Sequence, residues 1–283
     1  YDTPLQYDII FDADTPREAD FLEAMWVEHG PSGPPGRVLE PACGSGRLVL
    51  EMARRGWSAA GFDGNASMLE FARGRLAAAG MGALLWQDRM ESFRVPGRAR
   101  FDLAHCLVST FKYLLTEDHA VSCLRRVASV LKPGGIFVLG LHLTEYGRAT
   151  PDHERWVAER GGIHVTCNTR TWPADPRARL EAVRTRLRVR QGGREHLQET
   201  RWHFRTYSAA ELHRLLRQVP ELRLARRRLG RPPRLLEVPR PDAGAPRLLV
   251  RRASRSWGRA HPGWVGAIMG RGPLRLDTRA RTE

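Results

Sequence analysis

Between Arg37 and Leu143 short apolar runs alternate with segments whose apolar residues recur every three or four positions. The runs are RVLEP, WSAAGFD, ALLWQD, FDLAHCLVS and GIFVLGLHL. Short apolar runs bounded by turn residues suit strands covered on both faces, and the longer recurrence suits the helices that cover them. Helices are predicted from Arg47, with Leu48, Val49, Met52 and Ala53 on one face, through Met68, Leu69, Phe71 and Ala72, and across His119 to Leu131. Strand then helix, repeated, predicts a doubly wound, mostly parallel α/β sheet.

The flanks differ in period. TPREADFLEAMWVEHGP, from Thr15, offers a Thr cap, Pro at the first helical position, Glu18 three residues after the cap and a Gly-Pro stop, with Phe21, Leu22, Met25 and Trp26 on one face. After His142 apolar and polar residues alternate. GIHVTCNTRTW, ARLEAVRTRLRVR and EHLQETRWHFRTY predict three antiparallel strands with one wet face, an insertion after the fifth strand. A helix capped by Ser208 and Glu211 follows, and LRLARRRL with PRLLVRRA would close a hairpin. The expected organisation is an N-terminal segment and helix over 1–36, a core over 37–143, the antiparallel insertion over 144–207, a helix and hairpin over 208–253 and a mobile tail over 254–283.

Length and apolar content are those of a soluble cytoplasmic protein, with no apolar run long enough to cross a bilayer. The four cysteines form no C-x-x-C pair and no zinc spacing, so reduced thiols and no metal are expected. Net charge is the feature that leaves two readings open. The formal charge is +15, and Lys112 and Lys132 are the only lysines among 46 basic residues. Arginines that alternate with apolar residues after Arg177 suit first the solvent face of strands, and second a surface for a polyanion.

The candidate chemistry begins in the turn of RVLEPACGSGRLVLEMARRG. In an open parallel sheet ligands bind beyond the carboxyl ends of the strands, and Gly44 and Gly46 would let one approach the backbone ahead of a helix N-terminus. A dinucleotide fingerprint wants G-x-G-x-x-G. Here the pattern is acidic-x-small-x-G-x-G: Glu40, Ala42, Gly44, Gly46. That spacing resembles the first motif of the class I S-adenosylmethionine-dependent methyltransferases, and further segments resemble that family in order from Arg37 to Leu143.

The resemblance implies a Rossmann-like fold and S-adenosyl-L-methionine as cofactor. It places Glu40 near the methionine amino group, with Ala42, Cys43, Gly44, Ser45 and Gly46 forming the turn under the cofactor. In GFDGNASML, Asp63 would accept from both ribose hydroxyls, beside Gly64, and Met68 would line the adenine. In WQDRM, Asp88 would read the adenine amino group, with Arg89 and Met90 beside the ring. FDLAHCLVSTFKYL would border the methyl group through Leu107. Ala42, Gln87 and Asn65 depart from the family's usual glycine, glycine and serine.

Methyl transfer from a sulfonium is a direct in-line displacement, so positioning can supply much of the rate, and a general base is needed only where the acceptor holds its proton tightly. Tyr7 and His142 are the candidate catalytic residues by position, and Phe111, Tyr113, Trp172 and His203 the candidate acceptor-pocket residues. A small-molecule acceptor is expected, with the insertion as its lid. An RNA or protein methyltransferase that uses the basic surface, and a catalytically silent cofactor-binding module, are the competing readings. No N/D-P-P-Y/F segment is present to support the first of these.

Overall fold

The computed structural model describes residues 3–224 and, for the backbone alone, 247–252. Five parallel strands form most of the larger sheet: β1 (Arg37–Pro41), β2 (Ser58–Asp63), β3 (Leu84–Gln87), β4 (Phe101–Cys106) and β5 (Leu131–Gly140), in the spatial order 3-2-1-4-5 with β3 at the edge. Every residue of β4 is buried, which is why its sequence is an unbroken run rather than an alternation. Helices α3 (Arg47–Arg54), α4 (Ala66–Ala78) and α5 (Glu117–Val130) make the connections, preceded by α1 (Pro4–Phe11) and α2 (Thr15–His29).

A second sheet follows β5. It has four antiparallel strands in sequential order, β6 (Asp152–Arg160), β7 (Ile163–Thr171), β8 (Leu180–Gln191) and β9 (Arg194–Arg205). The chain then returns through α6 (Ala209–Arg217), whose N-terminus carries the expected Ser208–Glu211 capping box. Strands β10 (Leu222–Leu224) and β11 (Arg247–Arg252) add to the β5 edge as an antiparallel pair. The rest of the expected hairpin and the tail from Ser254 lie outside the described residues.

Three details correct the sequence reading. The antiparallel insertion has four strands, not three: DHERWVAER is a strand whose inward positions are Glu154, Trp156 and Ala158, too polar a set to read as an apolar alternation. The leading segment YDTPLQYDIIF contains a helix of its own, α1, which starts on a Thr-Pro step like the one recognised at Thr15. Finally, Thr15 and Glu18 do not cap α2. The Thr15 hydroxyl accepts from the buried Arg47 guanidinium at 3.0 Å and Glu18 pairs with the same group at 2.6 Å, so residues suited to a cap instead pin α2 to the start of α3.

Candidate active site

Parallel register brings the carboxyl ends of β1, β2 and β3 side by side, with Pro41 opposite Phe62 and Asp63 opposite Gln87. Glu40, Asp63 and Asp88 therefore stand in a row at one edge of the sheet. The turn after β1 needs left-handed backbone at Ala42 (φ 53°), Gly44 (53°) and Gly46 (69°). The two glycines have different reasons. A side chain on Gly44 would meet nothing closer than Tyr7 at 3.7 Å, whereas one on Gly46 would lie 2.8 Å from the Ala72 Cβ of α4. Gly44 keeps the turn open, and Gly46 lets two helices approach. Ala42 holds the same conformation with a Cβ, at a cost of about 1–2 kcal/mol.

Asp63 ties this turn to β2. One carboxylate oxygen accepts from the Gly44 amide at 2.9 Å and the other from the Asn65 amide at 2.8 Å, which leaves further lone pairs on both. Asn65 caps α4 through the amides of Ser67 and Met68, and Gln87 donates to the Gly64 carbonyl at 3.0 Å. Both departures from the family's usual residues thus have local structural work. Asp88 accepts from the amides of Arg89 and Arg94, which shapes its loop. The Arg89 side chain is exposed, Met90 packs against the main core and Met68 is buried in α4.

A cleft lies in front of the turn. It is lined by Glu40, Pro41, Ala42 and Cys43 from the end of β1 and the turn, Arg47 and Leu48 of α3, Leu107, Val108 and Thr110 after β4, and Tyr7 of α1. Burial raises the Glu40 carboxyl to about 8; Glu18 and Asp63 push the same way, and Arg47 opposes them. One Glu40 oxygen, Oε2, is buried with no hydrogen-bond partner in the protein. A buried carboxylate oxygen without a donor is costly, and here it lies beside a cleft that a cationic group could fill. Burial, with Glu40 and Asp63 nearby, holds the Cys43 thiol protonated, so it is no nucleophile.

Ser45, one of the expected turn contacts, points elsewhere: its hydroxyl donates to Asp8 Oδ1 at 2.8 Å. Asp8 is fully buried and also pairs with Arg75 of α4 and, at 2.6 Å, with Arg160 of β6. Sequence reasoning missed this hub, as it missed Arg47, Val108 and Thr110. The signal for Val108 is backbone conformation, invisible in a sequence: Val108 and Ser109 are consecutive left-handed residues (φ 55° and 59°), strain of a kind that clusters at functional sites.

The acceptor candidates divide. His142 stands exposed after β5 with Nδ1 3.0 Å from Ser109 Oγ, which also accepts the His142 amide. Phe111 is fully buried against Tyr207 and belongs to the core. Tyr113 packs on Phe204 and Trp202 of β9, with centroids at 4.8 and 6.4 Å. Trp172 and His203 do not join them. They flank Ala182 on the opposite face of the antiparallel sheet, where Trp172 lies near the Arg170 and Arg184 guanidiniums.

Residues 38–135 match the family model of the methyltransferase domain. Among curated proteins, YqeM of Bacillus subtilis is 31% identical over 107 residues, 38% of this chain and 42% of that protein. The ubiquinone biosynthesis O-methyltransferase of Stutzerimonas stutzeri is 29% identical over 118 residues, 42% of this chain and 49% of that protein. The chain therefore aligns with less than half the length of either. Among solved structures, an S-adenosylmethionine-dependent methyltransferase from Clostridium acetobutylicum superposes with a TM-score of 0.66 at 18% identity, covering 88% of this chain and 96% of that one. The sugar N-methyltransferase KedS8 of a Streptoalloteichus species gives 0.65 at 18%, covering 85% and 89%. These likenesses extend the fold match beyond the parallel sheet, over most of the chain.

Proposed function

We propose, for a chain whose residues 38–135 form a methyltransferase-family domain, that the protein transfers a methyl group from S-adenosylmethionine to a small-molecule acceptor. The observation that carries this reading is the unpartnered Glu40 oxygen in the cleft before the glycine turn. The residues present fit the cofactor. Glu40 would receive the ammonium of its methionine portion, Asp63 the ribose hydroxyls through its remaining lone pairs, and Asp88, Met68 and Met90 the base. The cofactor when bound supplies an activated methyl group on a sulfonium.

This chain's residues would align and enclose the reaction. Leu107, Val108 and Tyr7 line the cleft and would narrow and cover it around the cofactor. Excluding water and fixing the line of approach is the main catalytic resource for such a displacement. His142, held by Ser109, would take a proton from an acceptor that carries one. The small-molecule reading is supported by the antiparallel sheet, which contacts α1 and the 3-10 turn Thr110–Tyr113, each of which contributes a residue to the cleft lining. The arginines of β8 that would favour a polynucleotide acceptor lie on that sheet's far face, with Trp172.

Calorimetry with S-adenosylhomocysteine tests the cofactor assignment. Asp63→Ala should weaken binding by about 1.5–3 kcal/mol, the scale of a hydrogen bond to a charged group. Equal affinity in the variant would remove Asp63 from the site. Tight binding with no methylated product from any amine or hydroxyl compound would instead favour a silent binding module.

A further inference from the structure

Asp8 of α1 is fully buried, and the proposed chemistry makes no direct use of it. Its Oδ1 accepts from the Ser45 hydroxyl at 2.8 Å. Its Oδ2 takes two guanidiniums, that of Arg75 from α4 and, at 2.6 Å, that of Arg160 from β6. Asp12, one turn further along, pairs with the same two arginines at 3.1 and 3.4 Å. Two carboxylates and two guanidiniums leave the cluster neutral. Its donors come from three separate parts of the chain: the glycine turn, the helix α4 and the antiparallel sheet.

A carboxylate taken out of water is held by its partners alone, and removing one of them leaves charge that nothing compensates. The elements that supply the donors therefore hold one another in place. Two sides of the cluster adjoin the cofactor cleft. Ser45 stands between Gly44 and Gly46, in the turn whose Ala42 and Cys43 line the cleft, and Tyr7, next to Asp8 in α1, lines it as well. Arg160 lies away from it. That residue ends β6 at the turn of Gly161 and Gly162, and among the described residues none that lines the cleft belongs to the antiparallel sheet.

We propose that Asp8 is a positioning residue that ties β6 to the cofactor turn, so that a cofactor filling the cleft tightens the hold of the antiparallel sheet on α1. The proposal rests on the methyltransferase reading above and adds a coupling between the two halves of the site. A bound cofactor would lie against the turn and Tyr7, restrain both, and so fix Asp8 for Arg160. The sheet's attachment at Lys112 and Glu181, 2.5 Å apart, does not involve Asp8, so the coupling that Asp8 carries is read at the β6–β7 hairpin. Such a coupling is reciprocal: what the cofactor gains for β6, β6 gains for the cofactor.

The test is hydrogen exchange of the full chain with and without S-adenosylhomocysteine, read on peptides spanning residues 152–171, together with calorimetry of the same ligand. In wild type the ligand should slow exchange of β6 and β7 about fivefold, although neither strand lines the cleft. Arg160→Gln should remove that gain and weaken S-adenosylhomocysteine by about the same factor. Asp8→Asn should do both more strongly, because Ser45 and Arg75 lose the charge they face as well. Should that variant fail to fold, the Arg160 variants decide. Arg160→Lys, which keeps a cation on Asp8, should recover the gain, and Arg186→Gln, on the other face of the sheet, should change neither reading. A merely structural Asp8 would let these variants melt earlier with the ligand-dependent part of the exchange intact, and that result would overturn the proposal. So would S-adenosylhomocysteine binding to wild type with no gain of protection, which leaves the methyltransferase reading standing. Wild type that does not bind S-adenosylhomocysteine at all would overturn that reading and the coupling with it.

Discussion

The seven-stranded sheet and the four-stranded sheet bury their residues by different rules. In the first, Leu103, Ala104, Ile136, Phe137, Val138 and Leu139 are at or below 1% exposure on both faces of adjacent strands. In the second, among the described residues of its strands, Val165, Cys167, Val183 and Arg205 are buried, and Val157 and Leu197 stand more than half exposed. The first sheet is a floor whose strand ends are fixed by packing. The second is a cover, attached by Arg160 to Asp8, by Lys112 to Glu181 and by a few aromatic contacts. On the proposed reading, chemistry common to many acceptors would belong on the floor and discrimination between acceptors on the cover, where substitutions cost less stability.

The largest effect should come from core truncation in the floor. Phe137→Ala, at a fully buried site on β5, is expected to cost about 3–5 kcal/mol, the range for large aromatic deletions in a core. Leu187→Ala, half-buried on the cover's inward face, should cost less than half as much. Urea unfolding checks both. Equal losses would mean that the two sheets share one core, and the contrast drawn here would fail.

A pH series sharpens the role of the floor. The Glu40 carboxyl is held at about 8 in the folded chain against an ordinary value of 4.5, mainly by burial. Between those values the unfolded chain has released a proton that the folded chain keeps, so stability is lost as pH rises through this window. Glu40→Gln removes that slope. Its melting midpoint should match wild type near pH 5 and exceed it increasingly towards pH 8, while affinity for S-adenosylmethionine falls. Parallel midpoint curves would show that Glu40 is not desolvated in solution.

Much of the floor was legible in the sequence because buried parallel strands are unbroken apolar runs. Its strand order, 3-2-1-4-5, was not read from the sequence, because alternation of strands and helices predicts a parallel sheet without saying which strands are neighbours. The cover was legible only in outline. Its strand Asp152–Arg160 has a polar inward residue, Glu154, where alternation would call for an apolar one. Of the residues that the resemblance singled out, Glu40, Ala42, Cys43 and Leu107 line the cleft, while Asp63 and Gly44 are joined by a hydrogen bond beside it. Arg47, Asp8 and Val108 were not among them, because their roles depend on which distant elements meet them: α2 at Arg47, β6 and α4 at Asp8, and a left-handed turn at Val108. Ser45 shows the converse, a residue in the right motif whose hydroxyl belongs to the Asp8 hub.

The two glycines of the turn allow a finer comparison within the floor. Both substitutions to alanine incur about 1–2 kcal/mol of left-handed strain. Gly46→Ala adds a 2.8 Å approach to Ala72 and must displace α3 from α4, so it should lower the melting midpoint further than Gly44→Ala does. Gly44→Ala has open space in front of it and should act mainly on cofactor affinity. If calorimetry instead found the greater loss of affinity for Gly46→Ala at an unchanged midpoint, the assignment of the two glycines would be reversed.

The smallest expected effect is on the far face of the cover. Arg184, Arg186, Arg188 and Arg190 occupy alternate positions of β8 and lie against just two carboxylates, Glu199 and Glu195. Such exposed pairs add little to stability, and this face is turned away from the cleft. Replacing Arg186 and Arg190 together with glutamine should leave the melting midpoint and methyl transfer to a small acceptor unchanged at physiological salt. Weak binding of an RNA oligonucleotide, if wild type shows it, should fall in the variant and lose its salt dependence in proportion to the charges removed. A variant that instead lost methylation would place the acceptor on the arginine face. The division between a chemical floor and a selective cover would then have to be redrawn.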